Sequence, residues 1–343
     1  MPREQFPSSE YKLLNSLKPF LHYKKSRRYP LPIGDDAAIR TCSAKERLIL
    51  TADSFVQDVH FRLSWMTLAE VGFKAMAINL SDCAAMGAAP DGALVQIIFP
   101  KALPAAKTVA DIRRLYTGLF AACKRWDFPI IGGNLSAGPC WIVDITLLGR
   151  AEKPGRLLLR TGAKKGDTLW VTGRPGESGA GLAALARWGR KAVPRRYKEL
   201  VLRHVRPTPR MEIGCALAAN PLVHALIDIS DGVAKECRTL AYDNRLGISL
   251  DAAPACVSDV TKRVAAELGI DWREWYLGGG EDYELLFAAD PSFDARPIAS
   301  HSKVLFTRIG SFSPRGAGAA VPFGDLAAAG MPGGWDHLRK NLL

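Results

Sequence analysis

No two cysteines in this chain are spaced C-x-x-C. The seven stand singly at positions 42, 83, 123, 140, 215, 237 and 256. That argues against a zinc site or a disulfide scaffold and fits a reducing, cytoplasmic compartment. No uncharged apolar run approaches the ~18 residues that a membrane-spanning helix needs. No transmembrane helix and no membrane partner is therefore expected. The N-terminal stretch MPREQFPSSEYKLL lacks the apolar centre of a secretory signal. There is also no G-x-x-x-x-G-K-[ST] loop and no H-R-D or D-F-G set, which excludes two widespread ways of holding a nucleotide. Fixed-period repeats and long low-complexity segments are absent too.

What is present in excess is positive charge. The formal net charge is +12, with basic clusters in YKKSRRY (23–29) and RWGRKAVPRRYK (187–198). Such clusters attract phosphate, but neither belongs to a recognisable nucleic-acid module. A solvated surface that favours small anions is the better reading, and no nucleic-acid partner is expected. The length of 343 residues suggests two domains.

Helical spacing marks 7–19 and, with apolar residues three and four apart, 109–126. The stretch 67–88, rich in Ala, Leu and Met, reads as one or two helices. LPIGDDAAIR (31–40) reads as a turn feeding a strand, and strands are expected at 47–55, 91–100, 129–134 and 141–151. This is not a strict βαβ alternation, which favours an α/β (α+β) layer with helices on one face of a sheet. A Gly- and Lys-rich boundary falls near 151–165. Beyond it come a strand at 168–173, helices at 176–188 and 209–219, a strand entering DISDG, a strand at 247–255, and a Gly turn into a strand at 278–290.

Five aspartates draw attention. Asp36 follows a Gly turn, Asp53 ends the strand LILTAD, and Asp82 sits among small and apolar helix residues. Asp228 and Asp231 close an apolar strand. Singly, each also suits a turn or a helix cap. A single hypothesis covers all five: they converge on hard divalent cations, for which oxygen ligands are the natural donors. Magnesium-binding acids without a nucleophile motif point to phosphoryl transfer. GESGAG (176–181) opens a helix and offers backbone N–H groups to a phosphate, although small residues there also serve packing. GGGEDYELL (278–286) adds three more acids, read alternatively as a hairpin with solvated side chains.

Taken in order, GDDAA, KAMAINLSDCAAMGA, TGAKKGD…VTG, RHVRPTPR, IDISDG and GGEDYEL resemble the thiamine-monophosphate kinases of the aminoimidazole-ribonucleotide-synthetase superfamily, over about residues 30–340. The resemblance implies a two-domain aminoimidazole-ribonucleotide-synthetase-like fold, each domain a mixed sheet covered by helices. It implies ATP-dependent phosphorylation of thiamine phosphate by direct in-line transfer, several Mg²⁺ ions and a homodimer joined through the N-terminal sheets. Domain 1–150 would serve dimerisation, ATP and metal; domain 151–343 would bind nucleotide and substrate. Position by position, Asp36, Thr51, Asp53, Asp82, Asn134, Asp228 and Asp231 match metal positions, with Asp82 and Asp231 closest to the chemistry. Arg160 and Ser230 match ATP contacts. His60, Glu281 and Trp335 match substrate positions, and a Trp face suits a thiazolium cation.

The chain departs from the family pattern at GGNLSAG. Asn134 stands where the family has Asp, and Ala137 where it has Arg; Ala52 replaces a common Thr. An amide oxygen brings no charge, so one metal site is expected to be weaker. Two alternatives remain open from the residues: a diverged member with another small acceptor, such as aminoimidazole ribonucleotide synthesis, and a non-catalytic nucleotide binder.

Overall fold

The computed structural model describes residues 17, 19–20, 26–30, 40–152, 156–251 and 255–314. Asp36, Trp335 and most of the expected elements over 7–19 and 31–40 lie outside the described residues. The chain divides into two compact units, residues 1–80 with 90–153, and residues 81–89 with 154–343.

The first unit carries β1 (Glu46–Val56), α1 (Leu68–Ala85), β2 (Ala89–Pro100), α2 (Ala105–Trp126), β3 (Ile130–Gly138) and β4 (Ile142–Glu152). Its sheet has the order β1-β4-β2-β3. β1 lies antiparallel to β4, and β2 parallel to β3. Alternate residues share a face of a strand, and the sequence obeys this: Ala93, Val95 and Ile97 of β2 and Val143, Ile145 and Leu147 of β4 are all buried, while Gln96 is exposed. The stretch 67–88 forms one helix. No Gly or Pro interrupts it between Gly72 and Gly87, and its Ala, Leu and Met favour the helical state. A Cβ on Gly72 would lie 2.1 Å from the Leu115 carbonyl oxygen, and one on Gly118 1.8 Å from that of Ala69. The two long helices therefore cross with their backbones in contact. Asp91 of β2 is buried beneath arginines: Arg28 at 2.8 Å, Arg40 at 2.5 Å and Arg150 at 3.6 Å. Tyr29 also donates to it. A buried carboxylate needs such partners.

The second unit holds β5 (Thr168–Thr172), α3 (Glu177–Ala192), α4 (Lys198–Val205), α5 (Met211–Ala219), β6 (Val223–Asp228), α6 (Val233–Asn244), β7 (Leu246–Leu250), α7 (Asp259–Leu268), α8 (Trp272–Gly278), β8 (Leu285–Ala289), α9 (Arg296–Ser302) and β9 (Phe306–Pro314). Its sheet runs β6-β8-β5-β9-β7, and all four pairings are antiparallel. The mixed pairing expected of both sheets is thus found in the first only, since side-chain alternation does not encode strand direction. The core gathers Leu169, Val171, Ile227, Leu286, Ile309 and Phe312 under α6, where Val233, Cys237 and Leu240 close it. Each fully buried Leu or Ile stabilises by about 1.5–3 kcal/mol relative to exposure.

Residues 81–89 group with this second unit. The end of α1 packs on α5 without room for side chains: a Cβ on Gly214 would stand 2.0 Å from the Ala84 carbonyl oxygen. Leu158 adds a backbone bond to the Met86 carbonyl at 3.2 Å. A continuous helix runs across this division, so no linker composition marks it in the sequence.

Candidate active site

β6 delivers its last residue, Asp228, at the edge of the core. The side chain is buried, and its Oδ2 accepts a hydrogen bond from the Ser81 hydroxyl at 2.7 Å. The chain then turns through Ile229–Gly232 into α6. Gly232 has φ +102°, and a Cβ on it would come 2.5 Å from the Leu277 carbonyl oxygen. Only glycine suits both the conformation and the space. Residues 279–284 lie along this turn, bonded backbone to backbone. Glu281 donates to the Ser230 carbonyl at 2.6 Å, Tyr283 to Ile229 at 2.9 Å, and Ile229 to Glu284 at 2.8 Å. Glu281 and Tyr283 sit at φ +55° and +51°. Non-glycine residues held there cost of order 1–3 kcal/mol, an outlay met by the ladder on either side.

Three sequence-predicted residues of this unit, Arg160, Ser230 and Asp231, gather around that turn. Asp231 is ion-paired to Lys235 at 2.5 Å, and its backbone N–H donates to Glu236 Oε1 at 3.2 Å. Ser230 precedes it. Arg160 lies near enough for its charge to act on Glu236. The Glu236 carboxyl is pushed up to about 7, first by burial and then by the charge of Asp231; the Asp231 N–H, Lys235 and Arg160 oppose the shift. The segment carrying Arg160 is pinned by Asn244, whose amide donates to the Arg160 carbonyl at 2.8 Å while its oxygen accepts from Gly162 and Ala163 at 2.7 and 2.9 Å.

Asp82 lies in the last turn of α1, not in mid-helix as the composition around it suggests. A carboxylate at a helix C-terminus is electrostatically disfavoured; helix stability therefore gives no reason for it to be there. Ser81, its neighbour, makes the contact to Asp228.

GESGAG does not present an open cradle. Gly176 and Ser178 donate their amides to Asp282 at 2.8 and 3.1 Å. A Cβ on Gly181 would meet the Leu200 carbonyl oxygen at 2.1 Å. These small residues serve packing and capping. The acids of GGGEDYELL are likewise committed. Asp282 caps α3. Glu284 grips Arg210, with Nε to Oε2 at 2.6 Å, and accepts from Thr172 at 2.7 Å. Glu281 faces the buried His204 at 3.5 Å, and His204 in turn touches Ser178 at 3.1 Å.

In the first unit, Thr51 and Asp53 lie on β1 opposite Leu147 and Ile145. Asn134 is exposed on β3, its amide donating to Ser136 at 3.2 Å. His60 accepts from the Val56 N–H at 3.0 Å through Nδ1 and stacks on Phe55, so the turn after β1 fixes its ring. Among the described residues, no three His, Cys, Asp or Glu side chains gather closely enough to hold a metal ion. The predicted donors of both units are nonetheless all oxygen atoms, the chemistry a hard divalent cation selects. Sequence reasoning passed over Ser81, Lys235 and Glu236. A serine beside an acid in a buried helix, and a glutamate one turn into the helix after DISDG, were the available signals.

The family model "AIR synthase related protein, N-terminal domain" matches residues 34–151, and "AIR synthase related protein, C-terminal domain" matches 164–315. These two matches cover most of the chain and define that class. A thiamine-monophosphate kinase of Rhodopirellula baltica is 35% identical over 305 residues, covering 85% of this chain and 87% of the relative. A crystal structure of thiamine-monophosphate kinase from Stenotrophomonas maltophilia K279a is 30% identical, covers 90% of this chain and 94% of its own, and has a TM-score of 0.77. AaThiL complexed with AMPPCP and TMP is 30% identical, covers 89% and 91%, and has a TM-score of 0.71. The chain belongs to the thiamine-monophosphate kinase family.

Proposed function

We propose that this chain transfers the γ-phosphoryl group of ATP to thiamine phosphate, giving thiamine diphosphate and ADP. The observation that carries this reading is the relative that holds AMPPCP and TMP within the same fold over 89% of this chain. AMPPCP stands in for ATP, and TMP is read as the acceptor. The acceptor's second pKa is about 6, so it is largely dianionic at pH 7 and needs little help from a general base. The difficulty is to bring two polyanions together. Arg160 and Lys235 bring positive charge to the turn at Asp231. The start of α6, whose N-cap is Gly232, adds N–H donors of the kind that bind phosphate oxygens. The start of α3, closed by Asp282, does not.

The residues that would hold magnesium, in this reading, are Asp36, Thr51, Asp53, Asp82, Asn134, Asp228 and Asp231. Bound there, it would neutralise charge on the phosphate groups. Asp82 and Asp231 stand closest to the transferred group, and Arg160 and Ser230 contact ATP. His60, Glu281 and Trp335 position the acceptor. Domain 1–150 then serves dimerisation, ATP and metal, and domain 151–343 nucleotide and substrate. The homodimer is supported by the edge strand β1, whose Leu48 and Leu50 are 44% and 65% exposed on one face. A cytoplasmic location is supported by seven free thiols and by relatives that are bacterial kinases. No helix among the described residues is long and apolar enough to cross a membrane.

A screen of ATP consumption over thiamine phosphate, thiamine and other small phosphate acceptors tests the reading. ADP release dependent on thiamine phosphate is expected. ATP binding without turnover on any acceptor would leave the non-catalytic alternative, and turnover on another acceptor a diverged enzyme.

A further inference from the structure

Ser81 is fully buried, and its hydroxyl proton goes to Asp228, 147 positions away in the chain, at 2.7 Å. Within a helix, a serine ordinarily returns that proton to the carbonyl four residues back. A hydroxyl has one proton, so Ser81 forgoes that bond for a charge-assisted one to the carboxylate, about twice as strong as a neutral hydrogen bond. Alanine would be the better helix former here, so the hydroxyl's value lies in what it does to Asp228. A carboxylate rotates broadly about its last torsion; a fixed donor on one oxygen sets the plane of the group and the direction of the other.

The position is rigid. The end of α1 is locked on α5 at Gly214, and Asp228 ends a strand bonded to β8. Asp82 follows Ser81 on the same helix turn, so one element supplies an acid and, beside it, the donor that orients a second acid.

We propose that Ser81 is a positioning residue for a divalent cation, fixing the Asp228 carboxylate in its ligating orientation. The inference rests on the reading of Asp228 as a metal ligand. Partners of this kind are worth about 10–100-fold in metal affinity.

The test uses Mn²⁺ alone as the probe, titrated by electron paramagnetic resonance into the full chain without nucleotide or thiamine phosphate. Ser81→Ala is expected to weaken Mn²⁺ binding about 10–100-fold with its thermal midpoint close to that of the wild type. Asp228→Asn is expected to weaken it at least as much. Adding Ser81→Ala to Asp228→Asn is expected to cost little more, because the two residues act as one unit. Wild-type affinity in a folded Ser81→Ala chain overturns the inference, as do fully additive losses or a wild-type chain that binds no Mn²⁺. Should the Ala variant unfold, Ser81→Cys keeps the volume with a weaker donor. Intermediate affinity is then expected, and wild-type affinity overturns the proposal. Because no substrate is present, failure of thiamine phosphate turnover would sink the proposed reaction without touching this result.

Discussion

Asp282 accepts the first amides of α3 and is only partly exposed to water. Burial raises its carboxyl from 3.8 to about 8, against the pull of the Gly176 and Ser178 N–H groups. The folded chain therefore keeps a proton that an unfolded chain sheds near pH 3.8. The stability this contributes is present at acid pH and is lost as pH rises toward 8. Asp282→Asn should flatten that decline: thermal midpoints between pH 5 and pH 8 are expected to fall less in the variant than in the wild type, and parallel profiles would contradict this. Asp82 invites a different experiment. Its place in the last turn of α1 gives it no helix-stabilising duty, so Asp82→Asn is expected to keep the fold, by circular dichroism, and lose most turnover. Near-normal activity would remove it from the site. Asp228 was legible in the sequence as an acid closing an apolar strand, where a carboxylate demands a partner. The partner was not, since Ser81 reaches Asp228 across 147 positions and no local pattern encodes that contact.

Among elements, the joint between α5 and the start of β8 bears most on the site. Arg210 and Glu284 are both nearly buried, and Thr172 joins them by donating to Glu284 and accepting from the Leu285 N–H at 2.7 and 2.9 Å. Breaking a buried pair from one side strands the other charge and costs about 3–5 kcal/mol. Arg210→Met should lower unfolding free energy in urea by that order; a loss below about 1 kcal/mol would show the pair to be solvated, as exposed pairs are. The longer elements were readable: α2 from its apolar spacing, and the strands β2 and β4 close to their observed bounds. The short helices α4, α7, α8 and α9, of 7 to 10 residues, were not, because two or three turns give the period little to repeat. Strand β9 went unread as well. Its place between β5 and β7 is decided by long-range pairing. GESGAG was read as a possible cradle for want of Asp282, which lies 104 positions beyond Ser178.

For the whole molecule, the two-domain plan was visible from length and from the ordered set of family motifs. The assignment of residues 81–89 to the second unit was hidden inside an unbroken helix. The exposed Leu48 and Leu50 of β1 make the first unit the expected seat of self-association. Leu50→Glu should shift the sedimentation coefficient from dimer to monomer, and a wild type that sediments as a monomer at micromolar concentration would contradict the homodimer. The central claim concerns the fate of one phosphoryl group. The most direct measurement follows γ-³²P from ATP in the presence of thiamine phosphate, with and without Mg²⁺. The account predicts label in thiamine diphosphate, one for each ADP formed, and none when the cation is chelated. Label recovered only as inorganic phosphate, or left in ATP, would contradict it.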